Sequence, residues 1–185
     1  MSDPQTTRPP QPAGPEGVIT LDRVRRRRLL AALGGNHVRF CYQCGACVGD
    51  CPSARFHPGF NPREIMLLSL LGALDRLLAP DSIIWKCSNC YTCYERCPQD
   101  VRPVEVILAL KNLARADGTT PAAVVEVYES IRRTGRSAPV LGSTNARRAR
   151  LGLPALPALD VAEIAAVLAP DEEPEGAARP PAEGE

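Results

Sequence analysis

All eight cysteines of this chain fall in two short runs that share one spacing. The first reads Cys41-Tyr-Gln-Cys44-Gly-Ala-Cys47-Val-Gly-Asp-Cys51-Pro52, and the second Cys87-Ser-Asn-Cys90-Tyr-Thr-Cys93-Tyr-Glu-Arg-Cys97-Pro98. Both obey C-x2-C-x2-C-x3-C-P, the bacterial ligand run for cubane [4Fe–4S] clusters. A four-iron cube needs one thiolate at each corner, and three cysteines two residues apart let a single tight loop reach three of them. Gly45 suits such a loop because it takes positive φ without a steric penalty. The proline after each fourth cysteine fixes φ and turns the chain away.

Where two such runs share one domain, the fourth cysteine of each ligates the other run's cluster. Cys41, Cys44, Cys47 and Cys97 are therefore expected around one cube, and Cys87, Cys90, Cys93 and Cys51 around the other. Backbone N–H groups of the loops are expected to point at the sulfurs and help set the potential. Two structural zincs are the first alternative, but zinc sites pair separated C-x2-C knuckles rather than crowding four cysteines together. A disulfide framework fits less well, because the spacing is too regular and nothing resembles a signal peptide.

A chain of 185 residues with a formal charge of +1 suits one modest domain with tails. Only 4% of residues are aromatic and 19 are proline, so bound clusters are expected to compensate for a small core. Near-neutral charge argues against nucleic acid and against bulk membrane affinity. The longest mostly apolar run, Ile65 to Leu74, is half the ~20 residues of a membrane span. With oxygen-sensitive clusters and no export signal, the expected location is the cytoplasm.

Residues 1–17 read as a disordered proline-rich leader, 18–135 as the helical dicluster domain, 136–169 as an extension with a short helix, and 170–185 as a disordered acidic tail. The first helix is expected from Thr20, as cap, to Leu33, with Asp22 in its first turn and Gly34-Gly35 ending it. It carries Arg25 to Arg28, either a solvated face or a contact for an acidic partner or phosphate. Between the runs, Asn61, Pro62 and Glu64 signal a helix start. Leu67, Leu70, Leu71, Leu74 and Leu78 then predict a broad buried face ending at Pro80, with Gly72 inside the helix. Pro103-Val-Glu105-Val106-Ile-Leu108 repeats Pro62-Arg-Glu64-Ile65-Met-Leu67, so loop plus proline-started helix is a duplicated unit. The second helix is expected to reach Ala116 and end at Gly118, and a third to run from Thr120 to Thr134. Asp160 and Glu163 cap a last short helix through Leu168. No strand-like alternation competes, and the fold class is all-α.

The stretch from about Leu21 to Leu168 resembles the C subunit of heterodisulfide reductase. The likeness is carried by Cys41-Tyr-Gln-Cys44-Gly-Ala-Cys47, Ile84-Trp85-Lys-Cys87-Ser-Asn-Cys90-Tyr-Thr-Cys93, Glu95-Arg96-Cys97-Pro98, the helix at Val104 and the tail Arg148-Ala-Arg150-Leu-Gly-Leu-Pro154. It implies a helical ferredoxin fold like that of succinate dehydrogenase iron–sulfur subunits. It also implies two [4Fe–4S] clusters that relay electrons between a flavin-containing A subunit and a disulfide-active B subunit of CCG type. No cysteine remains for a substrate cluster, and no G-x-G-x-x-G serves a flavin or nicotinamide, so this chain is expected to be a wire and not the catalyst. A freestanding helical ferredoxin, or the iron–sulfur subunit of a glycolate-oxidase-type or succinate-dehydrogenase-type flavoenzyme, is the alternative.

Among residues near the runs, Trp85 and Tyr91 are expected chiefly to pack beside a cluster. Lys86, Arg96 and Arg55 read as solvated charges or as stabilisers of a reduced cluster. His37 and His57 have no ligand role while no cysteine is missing.

Overall fold

The computed structural model describes residues 20–168. The leader 1–17 and the acidic tail 170–185 lie outside the described residues. Every regular element among them is helical, in keeping with the all-α expectation. They form two compact units that divide between Pro121 and Ala122, ahead of the third expected helix rather than after it.

The N-terminal unit is laid out around α6, Pro103–Ala116, which buries Val104, Val106, Ile107, Ala109, Leu110 and Ala114. Its bounds match the sequence expectation because Pro103 pre-sets the first turn. Against it pack α1 (Arg23–Ala31), α4 (Pro62–Leu71) and two 3₁₀ turns, Gly35–Phe40 and Ile83–Lys86. Leu29, Val38, Ile65, Met66, Leu74, Leu77 and Ile84 complete one continuous apolar core.

Two helices differ from their expected form. α1 starts at Arg23 with Asp22 as its cap, not Thr20, because the Asp22 carboxylate accepts from the N–H groups of Val24 and Arg25 at 2.8 and 2.9 Å. An aspartate cap also places negative charge at the positive end of the helix. α4 is capped by Asn61 as expected, but it stops at Leu71. Gly72, expected inside the helix, is its left-handed C-cap at φ 79° and accepts a 2.9 Å hydrogen bond from Asp22 N. The helix therefore buries Ile65, Met66 and Ser69, while Leu67 and Leu71 face outward. Leu74 and Leu78 are buried, but from the turns after the helix.

The arginine run is largely used inside the molecule. Arg25 pairs with Asp75, Arg28 with Asp117 at 2.7 Å, and Arg26 Nε donates to Leu70 O at 2.7 Å. Three of the four side chains thereby bind α1 to the ends of α4 and α6. Close packing at the end of α1 is made possible by Gly35, where a Cβ would stand 1.8 Å from Leu29 O.

The C-terminal unit holds α7 (Ala122–Thr134), α8 (Gly142–Arg150) and α9 (Val161–Leu168). α7 packs on α9, and none of the three helices contains a fully buried residue. Asp160 caps α9 by accepting from Ala162 N and Glu163 N, as its spacing predicts. α8 is not expected from the sequence, since its Gly-Ser-Thr-Asn start carries no apolar periodicity. Arg148 Nε donates to Pro154 O at 2.7 Å and Leu156 N to Asn145 Oδ1 at 3.1 Å, which pins the following extended segment to α8.

Candidate metal centres

Each cysteine run is built the same way from the residue before it. Val38 and Ile84, both fully buried, anchor the two 3₁₀ turns. Their carbonyls accept from Cys41 N and Cys87 N, each at 3.2 Å. The backbone then goes left-handed twice per run, at Gln43 (φ 58°) and Gly45 (φ 84°), and at Asn89 (φ 51°) and Tyr91 (φ 63°). Gly45 adopts its conformation freely, whereas Tyr91 holds the same one with a full side chain, a strained choice for an aromatic residue. A one-turn helix follows in each run, α2 (Ala46–Gly49) and α5 (Thr92–Glu95). Val48 N donates to Gly45 O and Tyr94 N to Tyr91 O, both at 2.9 Å. The repeat visible in the sequence thus extends upstream to the two 3₁₀ turns.

These loops border two partly open voids. One is lined by Cys41, Cys44, Cys47 and Cys97, together with Met66 and Val101. The other is lined by Cys51, Cys87, Cys90 and Cys93, together with Phe60 and Ile107. In each void, three thiols come from one run and one from the other. α2 and α5 pack together, and Cys47 and Cys93 are near enough to affect one another's charge.

The donor set fits a [4Fe–4S] group. Burial, followed by the charges of Cys93 and Cys41, pushes the Cys47 thiol up to about 12. Burial and Cys87 push Cys93 up to about 11, and burial also raises Cys87. Crowded half-buried thiolates repel one another and need positive metal charge among them to exist together. Polar hydrogens already aim at sulfur: Val101 N–H at Cys97 Sγ and Gln43 Nε2 at Cys41 Sγ, both at 3.3 Å. Thr92, bonded to Cys90 Sγ, holds that thiol below its ordinary value. Four thiolates on one zinc would stand about 3.8 Å apart, given Zn–S bonds of ~2.3 Å. Among the described residues no three Cys, His, Asp or Glu side chains converge so closely as to hold a single ion. Thiols ranged around a void suit a cluster better.

The remaining sequence candidates sort plainly. Tyr91 lines the second void, whereas Trp85 packs against the core and lines neither. Arg96 pairs with Asp50 at 3.0 Å, and Lys86 and Arg55 are exposed. His37 and His57 line neither void. Two residues near the second run escape sequence reading. Ser53 is buried, donates to Lys86 O at 2.8 Å and accepts from Ser88 N at 3.3 Å, tying the end of the first run to the start of the second. Lys111 Nζ donates to Cys87 O at 3.3 Å and Asn89 Oδ1 at 3.2 Å. Its signal is present in the stripe Val104, Ile107, Lys111, Ala114, where a lysine stands at an apolar position of α6.

A family profile described as a 4Fe–4S dicluster domain matches residues 37–101, which contain all eight cysteines. The chain is similar to an iron–sulfur C subunit of the CoB–CoM heterodisulfide reductase of Methanocaldococcus jannaschii. That match is 42% identical over 64% of this chain and 62% of the relative. It is also similar to the C subunit of the ferredoxin:CoB–CoM heterodisulfide reductase of Methanosarcina mazei, 35% identical over 64% of this chain and 72% of the relative. A third relative, the C subunit of the ferredoxin/F420H2-dependent CoB–CoM heterodisulfide reductase of Methanosarcina acetivorans, is 36% identical over 61% and 68%. The chain spans less than two thirds of the first of these relatives. No helix among the described residues is long and apolar enough to cross a membrane.

Proposed function

This chain belongs to the family of heterodisulfide reductase C subunits, and on that premise we propose that it carries electrons through two [4Fe–4S] clusters between a flavin-containing subunit and a disulfide-active subunit of CCG type. Cys41, Cys44, Cys47 and Cys97 hold one cluster, and Cys87, Cys90, Cys93 and Cys51 the other. The clusters, when bound, supply one-electron redox capacity. The protein's part is to keep them adjacent, shield them and aim hydrogen-bond donors at their sulfurs.

The observation that carries this reading is the lining of the two voids, three thiols from one run and one from the other in each. Such sharing ties the halves together and sets the two sites side by side across the α2–α5 contact, as hopping between them requires. All eight cysteines are used in this way, so these 185 residues keep no thiol to exchange with a disulfide. The disulfide chemistry therefore belongs to a partner, and docking is between proteins. The electron carrier works in the cytoplasm.

Anaerobic purification tests the proposal. The protein should contain eight irons per chain and two reducible cubane signals by electron paramagnetic resonance, and should retain a CCG-type and a flavin-containing subunit on affinity capture. A colourless zinc-containing protein, or a loaded protein that captures neither of these partners, overturns it.

A further inference from the structure

The two voids are alike in backbone but unequal in charge. Lys111 lies half-buried on α6, with its ammonium held by Cys87 O and Asn89 Oδ1 and 5.8 Å from the centre of the Trp85 ring. Its partners are neutral oxygens and an aromatic face, and among the described residues no carboxylate forms an ion pair with it. Its charge is thus uncompensated and set against the loop that carries Cys87.

At the matching helix position beside the first void there is no cation. Since Pro62 corresponds to Pro103, the counterpart of Lys111 on α4 is Leu70. Arg63 lines the first void but is exposed, so water and salt screen it. Arg96 is neutralised by Asp50, and Arg102 by Asp100 at 3.0 Å.

Resting on the proposed cluster ligation, we infer that Lys111 is a positioning charge that raises the reduction potential of the cluster held by Cys51, Cys87, Cys90 and Cys93 relative to its neighbour. One-electron reduction adds one negative charge at that site, and a half-buried cation hydrogen-bonded to the Cys87 carbonyl favours the reduced form. No proton need move, and the electron comes from the flavin-containing partner. Within the chain, the second site becomes the one on which an electron rests.

The test is a redox titration followed by electron paramagnetic resonance on the anaerobic, fully loaded protein. Cys90→Ser first identifies which signal belongs to the second site. Lys111→Gln keeps a donor for Cys87 O but removes the charge, Lys111→Met removes both, and Lys111→Arg restores the charge. Gln and Met should make reduction of the second site about tenfold less favourable, a shift of ~59 mV for one electron. The first signal should stay in place and Arg should behave like the parent. Equal shifts at both sites, no shift at either, or a shift that Arg fails to rescue would overturn the role of Lys111. So would loss of the second cluster in Gln and Met, which would make Lys111 an assembly residue. Absence of two cubane signals in the parent protein would instead overturn the cluster reading itself.

Discussion

Asp50 and Arg96 form a 3.0 Å ion pair across the duplicated core, each standing directly before the fourth cysteine of its own run. The pair joins the two places where the chain changes over from one cage to the other. Both side chains are more than half exposed, 54% for Asp50 and 64% for Arg96. Exposed pairs contribute at most about 1 kcal/mol and are screened by salt. A double-mutant cycle of Asp50→Asn and Arg96→Gln should give a coupling inside that bound and vanishing in high salt. Chemical denaturation of the loaded protein at two salt concentrations measures it. A larger, salt-resistant coupling would mean that this pair, and not the shared cages, holds the halves together.

Cys97→Ser should damage the cluster wrapped by the first run and spare the one wrapped by its own. Iron analysis should fall toward four per chain, and the surviving spectroscopic signal should match that of Cys44→Ser. Selective loss of the second-run cluster would remove the case for exchange of the fourth ligands.

Ser53→Ala should lower the stability of the loaded protein by about 1 kcal/mol, because it removes the hydroxyl that the Lys86 carbonyl and the Ser88 N–H share in a partly buried setting. The effect should concentrate on the second cluster, seen as faster bleaching of that signal in air. An unchanged denaturation midpoint would show that water replaces the hydroxyl without cost.

Gly45 and Tyr91 make a matched pair of probes. Gly45→Ala should cost about 1–2 kcal/mol, the penalty for a side chain at left-handed φ. Tyr91→Gly relieves that strain but loses the tilted contact with the Tyr94 ring 6.0 Å away, itself about 0.5–1.5 kcal/mol. Its net change should stay within about 1 kcal/mol of zero. Denaturation midpoints of the two variants, reconstituted side by side, decide the matter.

Gly35→Ala puts a methyl group 1.8 Å from Leu29 O, backbone that cannot swing aside. It should fall in the severe class, beyond about 4 kcal/mol, and yield little soluble loaded protein. Normal yield would mean that the 3₁₀ turn can lift away from α1.

Where the chain announces its structure chemically, the sequence is easy to read. Cysteine spacing carries the two loops, Asn61-Pro62 and Pro103 carry the helix starts, and Asp160 carries the last one. Trouble comes where two local signals compete. Thr20 and Asp22 can each cap α1, and a carboxylate reaching two N–H groups at the positive helix end is the stronger cap. Leucines continue at helical spacing past Gly72, but a left-handed glycine ends the helix while hydrophobic burial goes on in the turns beyond. Lys111 and Ser53 are invisible for a different reason. Their roles depend on which segments lie opposite them, and no single-segment pattern contains that information. The arginine run shows the same limit, since Asp75 and Asp117 are far from it along the chain.

The contribution of Cys97 to the first void bears on how the protein is made. A ribosome delivers residues in order, so a nascent chain that already displays Cys41, Cys44 and Cys47 offers an assembly factor a three-sided bowl. The missing wall arrives only after Cys97 and the start of α6 have emerged. The first receptacle cannot close before the second loop exists, and a product terminated ahead of Cys87 has a complete thiol set for neither site. Completion of the first thiol set thus waits for synthesis of the chain at least as far as Cys97.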